Sequence, residues 1–154
     1  MGFFDGYNVS SSGMSAQRTR INVVSSNIAN AKTTHTAEGG PYKKQQVVFN
    51  DILIANSNKK TNSNEIETTN TKDSDIALRG VGVKSIIQSD AKPILRYDPT
   101  HPDANPEGYV AYPDINPVVE MVDLIEAMRS YEANVSAFNT HKAIDSKTLD
   151  ILNA

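Results

Sequence analysis

Apolar side chains spaced seven apart at both ends of the chain constrain the fold more than any other feature. Between residues 5 and 31, Tyr7, Met14, Ile21 and Ile28 stand seven apart, with Val24 and Ala31 three residues after two of them. Ser10 and Gln17 fill the matching earlier places, so the stripe is polar in its first half and apolar in its second. This is an a/d helical seam. A second, longer seam runs through Met121, Leu124, Met128, Tyr131, Val135 and Phe138, crosses Lys142 and Asp145, and resumes at Leu149 and Leu152. Val118 and Ile125 widen its start. Asn116 suits an N-cap and Pro117 the first helical position, which predicts a helix over 117–152. Asp5 can cap the first helix, and Ser25–Ala31 is a weak helix former where fraying is expected, because Ser and Asn compete for backbone hydrogen bonds.

The region between them has a different texture. Residues 32–116 hold six of the 7 Pro. Strand-like pieces fall at 46–49, 76–79, 83–88, 94–97 and 109–112, divided by Gly, Pro and Asp turns. Residues 55–75 contain only Ala55 and Ile66 as apolar residues and are expected to form a flexible polar loop. Gly80-Val81-Gly82 and Glu38-Gly39-Gly40 read as turns.

The fold class expected is therefore α+β, with a discontinuous helical unit, 1–31 plus 117–154, bracketing a β-rich middle, 32–116. Helices of these lengths span roughly 40 and 54 Å at 1.5 Å per residue. A middle region of about 80 residues cannot cover both. Composition agrees. Hydrophobic residues are 38% of the chain, while Asn, Ser and Thr number 15, 14 and 11. A conventional core would be thin, so the apolar seams are expected to pack on each other and on copies of themselves. A helical hairpin closed within one chain has the same periodicity.

Sites for chemistry are weak. With 0 Cys there is no disulfide, thiolate ligand or Cys nucleophile. Asp98-Pro99-Thr100-His101-Pro102-Asp103 offers two carboxylates and an imidazole, but a metal needs three or four convergent ligands. No Gly-x-Ser-x-Gly elbow, Gly-x-Gly-x-x-Gly or P-loop occurs. A net charge of −3 argues against nucleic acid. No run approaches the roughly 18–20 apolar residues of a membrane span. The N-terminus lacks the basic start and apolar run of a cleaved signal peptide. Position 6 is Gly, which defeats a myristoylation motif. Catalytic, cofactor and metal sites are not expected.

Two blocks of residues carry a resemblance. Ser25-Ser26-Asn27-Ile28-Ala29-Asn30-Ala31, followed by a Thr-rich stretch and Gly39-Gly40-Pro41-Tyr42, resembles the N-terminal signature of bacterial flagellar rod and hook proteins. The second runs Tyr97-Asp98-Pro99, His101-Pro102-Asp103-Ala104, Gly108-Tyr109-Val110 and Tyr112-Pro113. It continues through Asn116-Pro117-Val118, Glu120–Ile125 and Arg129-Ser130-Tyr131-Glu132-Ala133-Asn134-Val135. It is similar to the proximal-rod subunits of that axial family. Residues 55–75 match nothing in it. Ser26, Asn27, Asn30, Asn116, Pro117, Glu120, Met121, Arg129, Ser130, Tyr131, Glu132 and Asn134 are the positions that match the family motif.

The resemblance implies a structural subunit without enzymatic activity or cofactor. It implies export without cleavage through the flagellar type III channel, and terminal segments unordered in free subunits that pair as helices on assembly. The helices would line the rod's inner wall, with the middle region outside, in a shaft that carries torque from motor to hook across the periplasm. Copies of itself, other rod proteins and the hook–basal body junction protein would be its neighbours. Nucleic acid and membrane insertion are not implied. Another rod subunit of the same family, or a free-standing coiled-coil adaptor, is the alternative. The two seams are the expected assembly interface, with the polar layer at Lys142 and Asp145 fixing register.

Overall fold

A computed structural model describes residues 5–54 and 78–152 of the chain. The elements are α1 (Asp5–Ala29), β1 (Gln45–Leu53), β2 (Arg79–Gln88), β3 (Ile94–Tyr97), β4 (Tyr109–Tyr112) and α2 (Pro117–Leu152). This is an α+β arrangement in which the two helices lie at the ends of the sequence. The loop expected over 55–75 lies outside the described residues.

The local chemistry accounts for the helix ends. Asn116 caps α2: its Oδ1 accepts the Val118 N–H at 3.0 Å and its carbonyl accepts the Glu120 N–H at 3.1 Å. Pro117 follows as the first helical residue, where its missing N–H costs nothing. At the other end of the fold, α1 stays helical through Ser25–Ala29, where fraying was expected. Ser26 and Asn27 are held by tertiary hydrogen bonds. Asn30 then closes the helix, its Nδ2 donating to the Ser26 carbonyl at 2.9 Å and its Oδ1 accepting from Thr33 at 3.2 Å.

Two antiparallel pairs make up the β structure. β1 and β2 run in register from Gln45↔Gln88 to Leu53↔Arg79, with a bulge at Val48/Phe49 that leaves Lys84 as the extra residue. β3 and β4 pair from Ile94↔Tyr112 to Tyr97↔Tyr109. Arg79 of the piece expected at 76–79 and the whole of 83–88 belong to one strand, β2, and Gly80-Val81-Gly82 lies within it. These glycines are therefore not a turn. A Cβ on Gly80 would meet Ser12 Oγ at 2.6 Å and Ile54 Cδ1 at 2.9 Å, so only glycine lets β2 approach α1. The Val81 N–H then donates to Ser12 Oγ at 3.1 Å. Gly39 and Gly40 do turn the chain, with φ of 87° and 77°.

The β1–β2 hairpin packs along α1, and α2 packs on α1 antiparallel. α1 is thus the middle layer. The β3–β4 hairpin is tied to the segment after α1 by the Thr34 hydroxyl, which donates to Asp103 at 2.7 Å. Among the described residues the buried apolar set is small: Ala16, Val23, Val24, Ala31, Val110, Ile115 and Ala127. None is larger than Ile, and three are Ala, so much of the apolar surface lies elsewhere.

Candidate assembly surface

A buried polar junction joins the three parts of the chain. Asn27 and Glu120, 93 positions apart in sequence, are each 1% exposed. Asn27 Nδ2 donates to the Gln45 carbonyl at 2.9 Å and to Glu120 Oε2 at 3.0 Å. Its Oδ1 accepts the Gln45 N–H at 2.9 Å and the Tyr42 hydroxyl at 3.2 Å. That is the full capacity of a carboxamide, two donors and two acceptors. The backbone of Gln45 dictates which way the amide faces. Lys44 Nζ approaches the other Glu120 oxygen, Oε1, to 2.6 Å, so the buried charge has its counter-charge. The end of α1, the start of β1 and the start of α2 are locked together by one asparagine and one glutamate.

The helix seam extends from this junction. A Cβ on Gly13 would meet the Asn134 amide at 2.7 Å, and one on Gly6 the His141 ring at 2.7 Å. The pairs 27/120, 13/134 and 6/141 fall on multiples of seven along both helices, which places Ala127, fully buried, opposite Arg20. Arg20 reaches Asp123 at 3.8 Å and Glu126 at 4.0 Å. Tyr7 packs edge-on against Phe138 with ring centroids 4.9 Å apart. A hydrogen bond to Asp145, with burial and the carboxylate's charge, holds the Tyr7 phenol above its ordinary 10.0.

This geometry divides the expected seams in two. Val24 is buried, and Leu124, Tyr131, Val135 and Phe138 are half-buried, as are Tyr7, Met14, Ile21 and Ile28. Met121, Met128 and Leu149 are exposed, and Leu152 ends α2. The positions in closest approach are Gly6, Gly13 and Asn27 on α1, each one residue before a residue of the expected stripe. On α2 they are Glu120, Asn134 and His141 in place of Met121, Val135 and Lys142. Close approach selects small or hydrogen-bonding side chains, whereas counting apolar residues selects their neighbours.

What remains outside is a row on α2. Val118, Met121, Val122, Ile125 and Met128 are all exposed, Val118 at 68% and Val122 at 60%. Contiguous apolar rows of this kind on a surface mark interaction sites. Arg129 and Glu132 of the motif lie exposed on α2, while Ser130 is half-buried and its carbonyl accepts from Asn134 Nδ2 at 2.8 Å. The β1–β2 hairpin carries a second apolar surface at Val81, Val83 and Ile86.

The acidic turn Asp98–Asp103 is occupied locally. Asp98 accepts from the Thr100 hydroxyl at 2.7 Å and the Thr100 N–H at 3.2 Å. These bonds lower its carboxyl below the usual 3.8, so their contribution stands above that pH and fades as pH falls through the lowered value. Asp103 is taken by Thr34. Among the described residues no three His, Asp or Glu side chains converge as a metal site would need, and no helix is long and apolar enough to cross a membrane.

Sequence reasoning missed Tyr42, Lys44 and Gln45 as partners of the motif, and Gly6 and Gly13 as seam positions. The seven-residue spacing of those two glycines was the available signal.

Comparison with known proteins places these elements. Residues 8–34 match the family model "Flagella basal body rod protein", and residues 107–151 match "Flagellar basal body rod FlgEFG protein C-terminal". The chain is similar to the flagellar basal-body rod protein FlgC of Borreliella burgdorferi, 42% identical over 157 residues and 99% of each chain. It is 41% identical over 152 residues to FlgC of Bacillus subtilis, covering 96% of this chain and 97% of that one. It is 35% identical over 145 residues to FlgC of Salmonella typhimurium, covering 94% of each. Across that length, with both terminal motifs matched, the chain belongs to the FlgC family of flagellar basal-body rod proteins.

Proposed function

We propose that the chain is a structural subunit of the flagellar basal-body rod and that the outer row of α2 is where neighbouring subunits meet it. The observation that carries this is the exposed row Val118, Met121, Val122, Ile125 and Met128, left over once the seam within the chain is filled. Family membership supports the setting, an assembly with other flagellar rod proteins at the basal body. In this reading the two helices form one assembly unit, 1–31 with 117–154, and the β-rich middle, 32–116, lies outside it. The chain performs no catalysis and leaves the cell interior uncleaved through the type III channel, with the hook–basal body junction protein among the partners of the finished rod.

A physical rationale links export to assembly. A narrow channel passes an unfolded chain. Isolated helices draw most of their stability from packing an apolar face, and here one such face belongs to neighbours. Amide hydrogen exchange on the dilute purified chain tests the coupling, because it reads local opening free energies along the sequence. Exchange over 5–29 and 117–152 faster than in the β pairs, through local opening that costs less than global unfolding, is expected. Strong protection of both helices in a dilute monomer would instead favour a free-standing coiled-coil adaptor.

Met128→Asp tests the outer row. Met128 is 47% exposed. A surface change of this kind alters folding stability by only about 0.5 kcal/mol. The expected outcome is a folded chain that no longer completes rods, read as loss of swimming and of intact basal bodies. Normal motility with this variant would remove Met128 from the interface.

A further inference from the structure

We propose that Met121 and Met128 form a reversible oxidation site: hydrogen peroxide converts their thioethers to sulfoxides in the free chain, and the oxidised chain is turned away from the rod. The chemistry stands on exposure and composition, and its consequence rests on the rod-subunit reading. The sequence holds 4 Met, 0 Cys and 0 Trp, so methionine supplies all of its sulfur and no thiol competes for the oxidant. Met121 is 50% exposed and Met128 47%, whereas Met14 on α1 is half-buried. Met1 lies outside the described residues. Susceptibility to oxidation follows access to the sulfur. Seven positions apart, the two thioethers belong to one side of α2, in the row that also holds Val118, Val122 and Ile125. Those aliphatic side chains offer a peroxide nothing to attack.

The step balances with the oxidant alone. A sulfur lone pair attacks one peroxide oxygen, the S–O bond forms as the O–O bond breaks, and the departing oxygen leaves as water. Sulfur loses an electron pair and the peroxide gains it. A dithiol-dependent methionine sulfoxide reductase returns the thioether and water, and the dithiol leaves as a disulfide.

The sulfoxide acts on assembly and spares the fold. On a surface open to water the new oxygen is solvated, so α2 tolerates it. Covered by a neighbouring subunit, it needs a donor. Side chains three and four positions away are its neighbours on a helix. Around Met121 these are Pro117, Val118, Leu124 and Ile125, none of which can donate. Around Met128 only Tyr131 can. A polar oxygen buried without a partner is costly. A modification that the free chain carries easily therefore weighs against its incorporation.

Two measurements on the unaltered chain test this. The purified dilute chain is exposed to hydrogen peroxide, and sulfoxide at each methionine is followed by peptide mass spectrometry. Met121 and Met128 should oxidise at least about threefold faster than Met14. The urea midpoint of the oxidised chain should match that of the untreated one. Comparable rates at Met14, or a lowered midpoint, overturns the inference. In cells lacking their own copy, the chain is induced, hydrogen peroxide is pulsed and quenched, and basal bodies are isolated afterwards. Sulfoxide at Met121 and Met128 should be about tenfold scarcer in basal bodies than in the unassembled pool, equivalent to about 1.4 kcal/mol. Met14 sulfoxide should divide evenly and so serves as the reference. An even division at all three positions overturns the exclusion and leaves the rod reading standing. Absence of the chain from basal bodies overturns the rod reading and the exclusion with it.

Discussion

Asn27→Asp is expected to destabilise the chain by about 3–5 kcal/mol, the range seen when a buried charge loses its compensation. The substitution is isosteric, so no cavity or clash contributes. It deletes both Nδ2 donors, leaving the Gln45 carbonyl without its partner, and sets a second carboxylate against Glu120 Oε2 where a 3.0 Å hydrogen bond stood. Lys44 is already committed to the other oxygen of Glu120 at 2.6 Å. Against a total folding margin of about 5–15 kcal/mol, such a loss opens the junction of α1, β1 and α2.

The effect has a pH signature. Crowding by Glu120 raises the folded-state pKa of the introduced carboxyl above its unfolded value of about 3.9. The deficit is therefore smallest below that pH and grows as pH rises through the raised value. Urea denaturation of both chains near pH 4 and pH 7 should show the gap widening with pH. Adding Glu120→Gln should recover part of it, because the new amide can donate to the introduced carboxylate. Equal midpoints for wild type and variant at pH 7 would mean that Asn27 and Glu120 do not meet.

Gly13→Leu is expected to cost about 2–3 kcal/mol by prying the helices apart, at the upper end of what overpacking does. The first added carbon already lies 2.7 Å from Asn134 Oδ1. Asn134 cannot simply turn away, since its amide is bonded to the Ser130 carbonyl at 2.8 Å. Gly13→Ala sharpens the test. Replacing glycine within a helix gains about 1 kcal/mol of propensity, and here that gain is set against the Asn134 contact. Alone it should be neutral or slightly destabilising. Combined with Asn134→Ala, which clears the space, it should exceed Asn134→Ala alone by about 1 kcal/mol. A Gly13→Leu chain as stable as wild type would show that the helices do not approach closely at that layer.

These two sites also show where sequence reasoning stops. The extent of α2, Pro117–Leu152, is written in its cap, its first proline and the absence of later breakers. The pieces 94–97 and 109–112 are written in alternation between turn residues. Such signals are local, and a chain of this length carries them intact whatever it packs against. Gly80 and Gly82 already exceed that reach. In isolation Gly-Val-Gly reads as a turn, and only the closeness of Ser12 makes it strand.

By itself, the sequence determined that two long helices would frame a small β region. It also held the motif that marks the family. The tertiary structure decided which side of each helix turns inward. Counting apolar residues points to Met14, Ile21, Ile28, Met121 and Met128. Of the same count Tyr7 and Phe138 do meet across the helices and Val24 is buried, and beside them stand the close contacts of Gly6, Gly13, Asn27 and Glu120 and the buried Ala127. Two helices approach most closely where side chains are smallest. A buried asparagine is tolerated only where a partner far away in sequence supplies the missing bonds. Both conditions are properties of pairs of positions, and neither is visible in the periodicity of one helix.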